Sequence, residues 1–172
     1  GIFENLYFQG SHRGFSGVPN GETAAIGINK GAYRVYHCEI DCRLPNGTAV
    51  GTSPIMLNSS ASGLIESSYF HHSVQGMPTH WNCSGTHTMN DVRSEYMLNG
   101  PGWNLEKNVS GVTYNFNRGS ILLGGKKFQL NIGGYDSSAK INCRGVTFEL
   151  SQGYWPGYVS IQTYGSDGVN NQ

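Results

Sequence analysis

Charged residues are scarce in this 172-residue chain: they make up 13% of it, and eleven Lys and Arg residues balance eleven Asp and Glu residues. A neutral chain is a poor candidate for nucleic-acid binding, which depends on a basic face that displaces counterions. Long apolar runs are also missing, since no stretch approaches the roughly 18 apolar residues of a membrane span. We therefore expect no nucleic-acid partner and no membrane insertion, and the length fits one domain.

The motifs of common enzyme families are missing as well. The sequence contains no G-x-S-x-G, H-E-x-x-H, G-x-x-x-x-G-K-[ST] or G-x-G-x-x-G pattern and no EF-hand loop. Paired carboxylates for glycoside hydrolysis are available, and the candidates are Asp91, Glu95, Glu106, Asp136 and Glu149. We predict a protein that is not an enzyme and needs no cofactor, with a secreted hydrolase as the alternative.

The chain divides into three segments by composition. Residues 4–10, Glu-Asn-Leu-Tyr-Phe-Gln-Gly, match the recognition sequence of a protease that is used to remove purification tags. Residues 1–13 are therefore interpreted as a tag and protease-site remnant outside the fold. Residues 14–164 are predicted to form the binding domain, and residues 165–172, which lack apolar anchors, a polar linker or tail.

Short strand patterns are abundant. Apolar and polar residues alternate with a period of two in segments separated by Gly, Asn, Pro and Ser; these segments are Thr23–Ile28, 32–44, 48–57, 63–71, 112–117, 121–123, 126–132, 139–150 and 158–164. Gly124-Gly125 suggests a hairpin, and Arg144-Gly145 a bulge where the apolar parity changes. No internal repeat is evident. The pattern predicts an all-β domain, either a β-sandwich or a jelly roll.

Four cysteines in such a chain favour disulfides and an oxidising compartment. On one continuous strand Cys38 and Cys42 would lie about 13 Å apart, at about 3.3 Å per residue, whereas a disulfide needs Cα atoms within about 7 Å. We expect each to reach across to Cys83 or Cys143, with Cys42–Cys83 and Cys38–Cys143 preferred. The alternative is four free thiols in a cytosolic protein.

The histidines suggest a metal site as a minority hypothesis. Adjacent residues on a strand point to opposite faces of the sheet, so His71 and His72 are not expected to bind one ion together. A mononuclear site would combine one of them, His72 in our assignment, with His80 or His87. Otherwise the histidines have ordinary structural partners, and no finger or ribbon spacing of Cys and His predicts structural zinc.

The aromatic residues of turn-rich segments give the most suggestive pattern. Every tryptophan lies in such a segment, and tryptophan is enriched in recognition sites. Sugar rings stack on aromatic faces, and their hydroxyl groups bond to amides and carboxylates. The predicted ligand-binding residues are Trp81, Asn82, Trp103, Asn104, Asp136, Tyr154 and Trp155. In the alternative, each indole folds inward and plugs one end of the sandwich.

The four cysteines, the strands rich in Gly, Asn and Tyr and the polar segment 165–172 resemble the receptor-binding lectin domains of two-domain chaperone–usher pilus tip adhesins. The resemblance implies an immunoglobulin-like, disulfide-bonded β-sandwich that is displayed on a fimbrium at the cell surface and precedes a pilin domain. It also implies a host glycan or glycoprotein as ligand, with other pilus subunits as further partners. We therefore predict an extracellular, carbohydrate-binding adhesin domain that supports virulence. The alternatives are a viral or phage receptor-binding head, a metal-dependent binding domain and a secreted hydrolase.

Overall fold

The computed structural model describes residues 1–9, 12–13, 23–28, 30–43, 53–58, 61–73, 79–81, 84–95, 103–104, 112–123, 128–133, 140–150, 159–164 and 170–171. These residues form twenty β-strands. Among them there is no helix with the length and apolar character needed to cross a membrane.

The strands belong to three sheets, which we number 1 to 3. Sheet 1 contains β1 (Ile2–Glu4), β5 (Gly31–Tyr36), β8 (Ala61–Glu66), β11 (Thr86–Asn90), β14 (Thr113–Asn117) and β17 (Lys140–Arg144). Sheet 2 contains β2 (Tyr7–Gln9), β6 (Glu39–Asp41), β9 (Tyr69–His71), β12 (Arg93–Glu95), β15 (Ser120–Leu123) and β18 (Thr147–Leu150). Sheet 3 contains β3 (His12–Arg13), β4 (Thr23–Ile28), β7 (Ser53–Asn58), β10 (Thr79–Trp81), β13 (Trp103–Asn104), β16 (Phe128–Gly133), β19 (Val159–Tyr164) and β20 (Asn170–Asn171).

The three sheets make up a parallel β-solenoid. The chain passes from sheet 1 to sheet 2 to sheet 3, and each such circuit, or coil, stacks on the one before it. Neighbouring strands are parallel except at the two ends of sheet 3, where β3 and β20 are antiparallel to their neighbours. The predicted β-sandwich, jelly-roll or immunoglobulin-like fold is therefore wrong, because those folds are built from antiparallel strands. The hairpin predicted at Gly124-Gly125 is also wrong, since β15 and β16 lie in different sheets.

A left-handed residue marks the corner between sheet 1 and sheet 2 in six coils. The φ angles at these positions lie between 47° and 63°, and the residues are Asn5, His37, Ser67, Asp91, Arg118 and Gly145. The corner N–H groups continue the ladder: for example, His37 N donates to Glu66 O (3.1 Å) and Ser67 N to Asn90 O (2.9 Å). Segments 32–44 and 63–71, predicted as single strands, are each divided by such a corner. The predicted bulge at Arg144-Gly145 is another corner.

The coils form an internal repeat that the sequence hides. Strand pairing aligns Ile2, Arg34, Leu64, Thr88, Asn115 and Asn142, at spacings of 32, 30, 24, 27 and 27 residues. Since most of the variation falls in the segments between strands, no single period describes the whole chain. The expectation of no repeat is therefore wrong.

The core lies between the three sheets. The inward side chains of sheet 1 form a ladder in which Val35, Ile65, Met89 and Phe116 are each at most 2% exposed. Sheet 2 contributes buried Ile40 and Phe70, and sheet 3 contributes buried Ala24, Ile26, Ile55 and Leu57. Each of these side chains except the smaller Ala24 stabilises the fold by about 1.5–3 kcal/mol when it leaves water.

Tyr33 spans the neighbouring coil inside this core. Its hydroxyl group bonds to Nδ1 of His87 at 3.0 Å, although Gly63 lies between the two residues in the ladder. A Cβ atom at Gly63 would lie 2.7 Å from two carbon atoms of the Tyr33 ring and 2.2 Å from its carbonyl oxygen. Position 63 therefore has to be glycine for Tyr33 and His87 to meet.

The N-terminal segment pairs with the solenoid. Strands β1 and β2 add parallel to β5 and β6, with Phe3 opposite Val35 and Phe8 opposite Ile40. Phe3 and Phe8 pack against the core and against each other, with ring centroids 6.4 Å apart. Residues 1–9 thus have the strands, the corner residue and the inward aromatic side chains of a coil. Their assignment to a remnant, and the boundaries at 14–164 and 165–172, stay predictions.

The structure corrects the disulfide prediction. Cys38, Cys42 and Cys143 are free. Cys143 aligns with Val35, the residue three before Cys38, across four intervening strand pairings of sheet 1. At about 4.8 Å per strand this places Cys143 about 19 Å from that coil, so a Cys38–Cys143 bond is excluded. Cys42–Cys83 is not formed because Cys42 is free; Cys83 lies outside the described residues.

Thiol reactivity will test this arrangement. In the Cys83→Ser background, we expect Cys143 to react with an aromatic disulfide reagent in the native protein, because its side chain is exposed. Cys38 and Cys42 should react only after unfolding, because both are buried. Burial and the nearby Asp41 charge also raise the pKa of Cys42 to about 12. The absorbance of the aromatic thiolate released from the reagent gives the number of reactive cysteines, in buffer for the native protein and in concentrated guanidinium chloride for the unfolded protein. Fewer thiols on unfolding than the three free cysteines would contradict the assignment.

Candidate functional site

The predicted tryptophan site is only partly within the described residues. Trp81 and Trp103 lie on the neighbouring strands β10 and β13 of sheet 3, where Asn104 pairs with Thr79. The structure thus places Trp81, Trp103 and Asn104 in one sheet. The other predicted residues, Asn82, Asp136, Tyr154 and Trp155, lie outside the described residues. Ligand binding by this set stays a prediction.

The outer face of sheet 1 carries a ladder of amide side chains that only the register brings together. Asn115 Nδ2 lies 3.4 Å from Thr88 Oγ1, and Asn142 Nδ2 donates to Asn115 Oδ1 at 2.8 Å. In the parallel row, Asn117 Nδ2 donates to Asn90 Oδ1 at 3.0 Å. We call these five residues the amide face. They stand one strand apart, at about 4.8 Å per step, and the neighbouring positions of the same register are occupied by Leu64, Glu66, Lys140 and Arg144.

Each amide retains hydrogen-bonding capacity. A side-chain amide has two N–H donors and an oxygen with two lone pairs. The ladder uses one donor and one lone pair of Asn115, so one donor and one lone pair remain on this half-buried side chain. The bonds between side chains fix the amide orientations before any ligand arrives, which lowers the entropy that binding must overcome.

A charged pair borders the amide face at the corner to sheet 2. The Arg118 guanidinium donates from Nε and from its terminal nitrogen to the two oxygens of Asp91, both at 2.8 Å. These hydrogen bonds hold the pKa of Asp91 below its ordinary value. Both side chains are exposed, so the pair adds little stability but sets one edge of the face.

The outer face of sheet 2 carries a second ladder, and it is buried. The register aligns Asp41 with His71 and His71 with Glu95, on β6, β9 and β12. They are 1%, 4% and 5% exposed. Buried ionisable groups are costly unless they are paired, so partners for each of the three are required.

Each carboxylate of this ladder is held by an arginine two residues away in the sequence. Asp41 accepts hydrogen bonds from Arg43, among them Nε to Oδ1 at 2.9 Å and backbone N to Oδ1 at 3.0 Å. Burial raises the pKa of Asp41, but the Arg43 hydrogen bonds outweigh it and the pKa lies below its ordinary value. Glu95 pairs with Arg93 and accepts from the Tyr69 hydroxyl group at 2.6 Å.

His71 and His72 face each other. Nδ1 of His71 lies 2.6 Å from Nδ1 of His72, and these two nitrogens lie 3.8 and 3.7 Å from Asp41 Oδ1. The expectation that the two imidazoles point to opposite faces is wrong, because the strand ends at His71 and His72 has a φ of 57°. Burial, with the charge of Arg43, lowers the pKa of His72, which favours a neutral ring.

The minority metal set of His72, His80 and His87 is not assembled among the described side chains. His87 is inside the core, where its Nδ1 bonds to the Tyr33 hydroxyl group and its Nε2 donates to Ser84 O at 3.0 Å. The side chain of His80 is outside the described part. In the described part of the chain, the one group of three or more potential metal ligands within mutual reach is Asp41, His71 and His72.

The comparisons with known proteins add no relative: no family model, no curated protein and no solved structure matches this chain. The fold defines the class, a three-sheet parallel β-solenoid. What the chain does has to be argued from its own surfaces.

Proposed function

We propose that this protein is an extracellular carbohydrate-binding module that holds a glycan chain along the amide face of sheet 1. The observation that carries the proposal is the hydrogen-bonded row of Thr88, Asn115 and Asn142. A sugar hydroxyl group is both donor and acceptor, and so is a side-chain amide. A row of amides with fixed orientations therefore matches a row of hydroxyl groups.

The geometry of a solenoid favours a polymer over a single sugar. Strands add at about 4.8 Å, so the face repeats its amides along the axis, and a linear saccharide repeats its hydroxyl groups along its own length. Stacked repeats produce extended binding surfaces of this kind. Each contact contributes about 0.5–1.5 kcal/mol, so attachment strength comes from the number of contacts and copies.

Affinity electrophoresis in gels that contain soluble polysaccharides, after a glycan-array screen, tests this function. An Asn115→Ala, Asn142→Ala double variant should lose roughly tenfold or more in affinity, from two hydrogen bonds of about 1 kcal/mol each. Thr147→Ala, an exposed change on sheet 2, is the matched control and should bind as wild type. Absence of any glycan ligand, or equal binding by the double variant, would refute the proposal.

The same assay tests the tryptophan prediction separately. If Trp81 and Trp103 stack on sugar rings, Trp81→Ala and Trp103→Ala will weaken retention while the amide face is intact. If the amide face is the site, they will leave retention unchanged. The two candidate sites can be tested separately because they lie on different sheets: Trp81 and Trp103 on sheet 3, and the amide face on sheet 1.

The biological setting stays a proposal. Attachment to a host glycan or glycoprotein, display on a fimbrium and contact with other pilus subunits were implied by the resemblance to pilus adhesins, which nothing here tests. The sandwich and disulfides that this resemblance implied are not the architecture of the chain. A viral or phage receptor-binding head would use the amide face in the same way.

A further inference from the structure

We propose that Asp41, His71 and His72 form a binding site for one divalent transition-metal ion of the zinc and cobalt class. One ligand atom from each of the three residues lies within 4.8 Å of the other two. Two imidazoles and a carboxylate suit zinc and its neighbours in the first transition row. The inference does not depend on glycan binding, since these residues lie on sheet 2 or directly after it and the amide face lies on sheet 1.

Both imidazoles present the same kind of nitrogen, Nδ1, to one point. Nδ1 of His71 and Nδ1 of His72 lie 2.6 Å apart. Two lone pairs cannot meet at that distance, so the two nitrogens share a proton in the metal-free protein, and a cation that replaces this proton finds both lone pairs at one point. Ligand nitrogens about 2.0–2.1 Å from a tetrahedral zinc ion stand roughly 3.4 Å apart, so the rings need to separate by less than about 1 Å.

His71 has the support expected of a metal ligand. Its other nitrogen, Nε2, lies 3.1 Å from Glu39 Oε1. A carboxylate at that position keeps the proton on Nε2 and leaves the lone pair on Nδ1, the nitrogen that faces Asp41 and His72. The Tyr69 ring stacks on His71 with centroids 4.4 Å apart and planes inclined by 19°, which fixes the imidazole.

The three residues can be reached from solvent on the side of His72. The side chain of His72 is 25% exposed and that of Glu39 is 47% exposed, while Asp41 and His71 are buried behind them. An ion can therefore enter from solvent beside His72, and water can complete a four-coordinate shell there.

Arg43 opposes a cation at this place. It donates two hydrogen bonds to Asp41 Oδ1, one from Nε and one from its backbone N. An ion on Oδ1 has to displace Nε, which also contacts Oδ2 at 3.0 Å and can remain there. Removing the guanidinium charge should therefore tighten metal binding.

Metal titration of the full chain tests the proposal. After treatment with a chelator and dialysis, we expect calorimetry with zinc chloride to show one ion per chain, with a dissociation constant on the order of micromolar. Cobalt chloride should give visible d–d absorption at the same stoichiometry. His72→Gln should weaken binding by more than about 100-fold, beyond the about 10–100-fold typical of a supporting residue. Glu39→Gln should weaken it by roughly tenfold.

His37→Gln is the matched control, because His37 is an exposed histidine that also has a positive φ, 50°, at a strand end. It should bind zinc as wild type does. Arg43→Gln should bind roughly tenfold more tightly. No saturable binding, equal binding by His72→Gln, or unchanged or weaker binding by Arg43→Gln would overturn the site. Zinc should raise the melting temperature of wild type but not of His72→Gln, a readout that also confirms that the variant folds.

Discussion

Acidification from pH 6.5 to pH 4 should cost the folded protein about 3 kcal/mol at His87 alone. Burial in the core lowers the pKa of His87 from 6.5 to about 4. The unfolded chain therefore takes up this proton near pH 6.5, whereas the folded protein does so only near pH 4. Since the unfolded state binds more protons in this window, stability rises with pH there. Each pKa unit corresponds to about 1.4 kcal/mol.

The range between pH 4 and pH 6.5 separates the effect of His87 on stability from the effects of the carboxylates. Asp41 and Asp91 have pKa values lowered below 3.8, so the stability they contribute is lost only as the pH falls below that value. His72 has the same sign as His87, because its pKa is also lowered from 6.5. A His72→Gln variant therefore has to be measured alongside.

Chemical denaturation at several pH values between 4 and 7 measures the effect. His87→Gln should flatten the dependence of the free energy of unfolding on pH in this window, whatever it costs at neutral pH through the Tyr33 contact. His37→Gln, at an exposed histidine, should retain the wild-type slope. If His87→Gln retained the wild-type slope too, the imidazole would have to be solvated in the folded protein.

The sequence predicted the strands better than their partners. Alternation at Val112, Tyr114 and Phe116 correctly marked an inward row, and all three are at most 2% exposed. Such parity is local, because successive side chains point to opposite faces. Whether a strand pairs parallel or antiparallel depends on residues some 24–32 positions away. The antiparallel pairing of a sandwich was predicted only from the number of short strands. The all-β class was therefore correct and the sandwich was wrong.

The corners between sheets 1 and 2 could not be recognised in the sequence for a different reason. A left-handed residue is typical of Gly, Asn and Asp, but the six corner positions also include His37, Ser67 and Arg118. The change of parity at Arg144-Gly145 was noticed and interpreted as a bulge, because a corner and a bulge both shift the inward set by one residue. An equivalent change of parity lies between buried Val35 and buried Cys38, on the two sides of the corner at His37.

The residues of the candidate sites could not be grouped from the sequence, because the strand register that brings them together was unknown. The sequence singled out His71-His72 but placed both on one strand, where they would diverge; the positive φ at His72 is what lets them converge. Asp41 lies 30 residues before His71 and was not named, although the sheet pairs the two directly. The amide face is similar: Asn115 and Asn142 become neighbours only through β14 and β17.

Replacing Gly119 should be among the most damaging single changes in the solenoid. Its φ is 93°, and a Cβ there would lie 2.3 Å from the carbonyl oxygen and 2.8 Å from the backbone nitrogen of Val92 in the preceding coil. That oxygen cannot move away freely, because it accepts the Ser120 backbone hydrogen bond at 3.0 Å. Gly119→Ala should therefore cost more than about 4 kcal/mol, at the upper end for point mutations.

A second glycine, Gly31, separates the cost of the positive φ from the cost of the steric clash. Its φ is nearly the same, 89°, but a Cβ there would meet no atom within 4 Å. Gly31→Ala should cost only the backbone term of about 1–2 kcal/mol. Thermal melts and urea titrations of both variants give the comparison, and the difference between them measures how tightly neighbouring coils are packed at the corner. Equal losses would mean that the backbones at Gly119 and Val92 are farther apart than the stacked coils require.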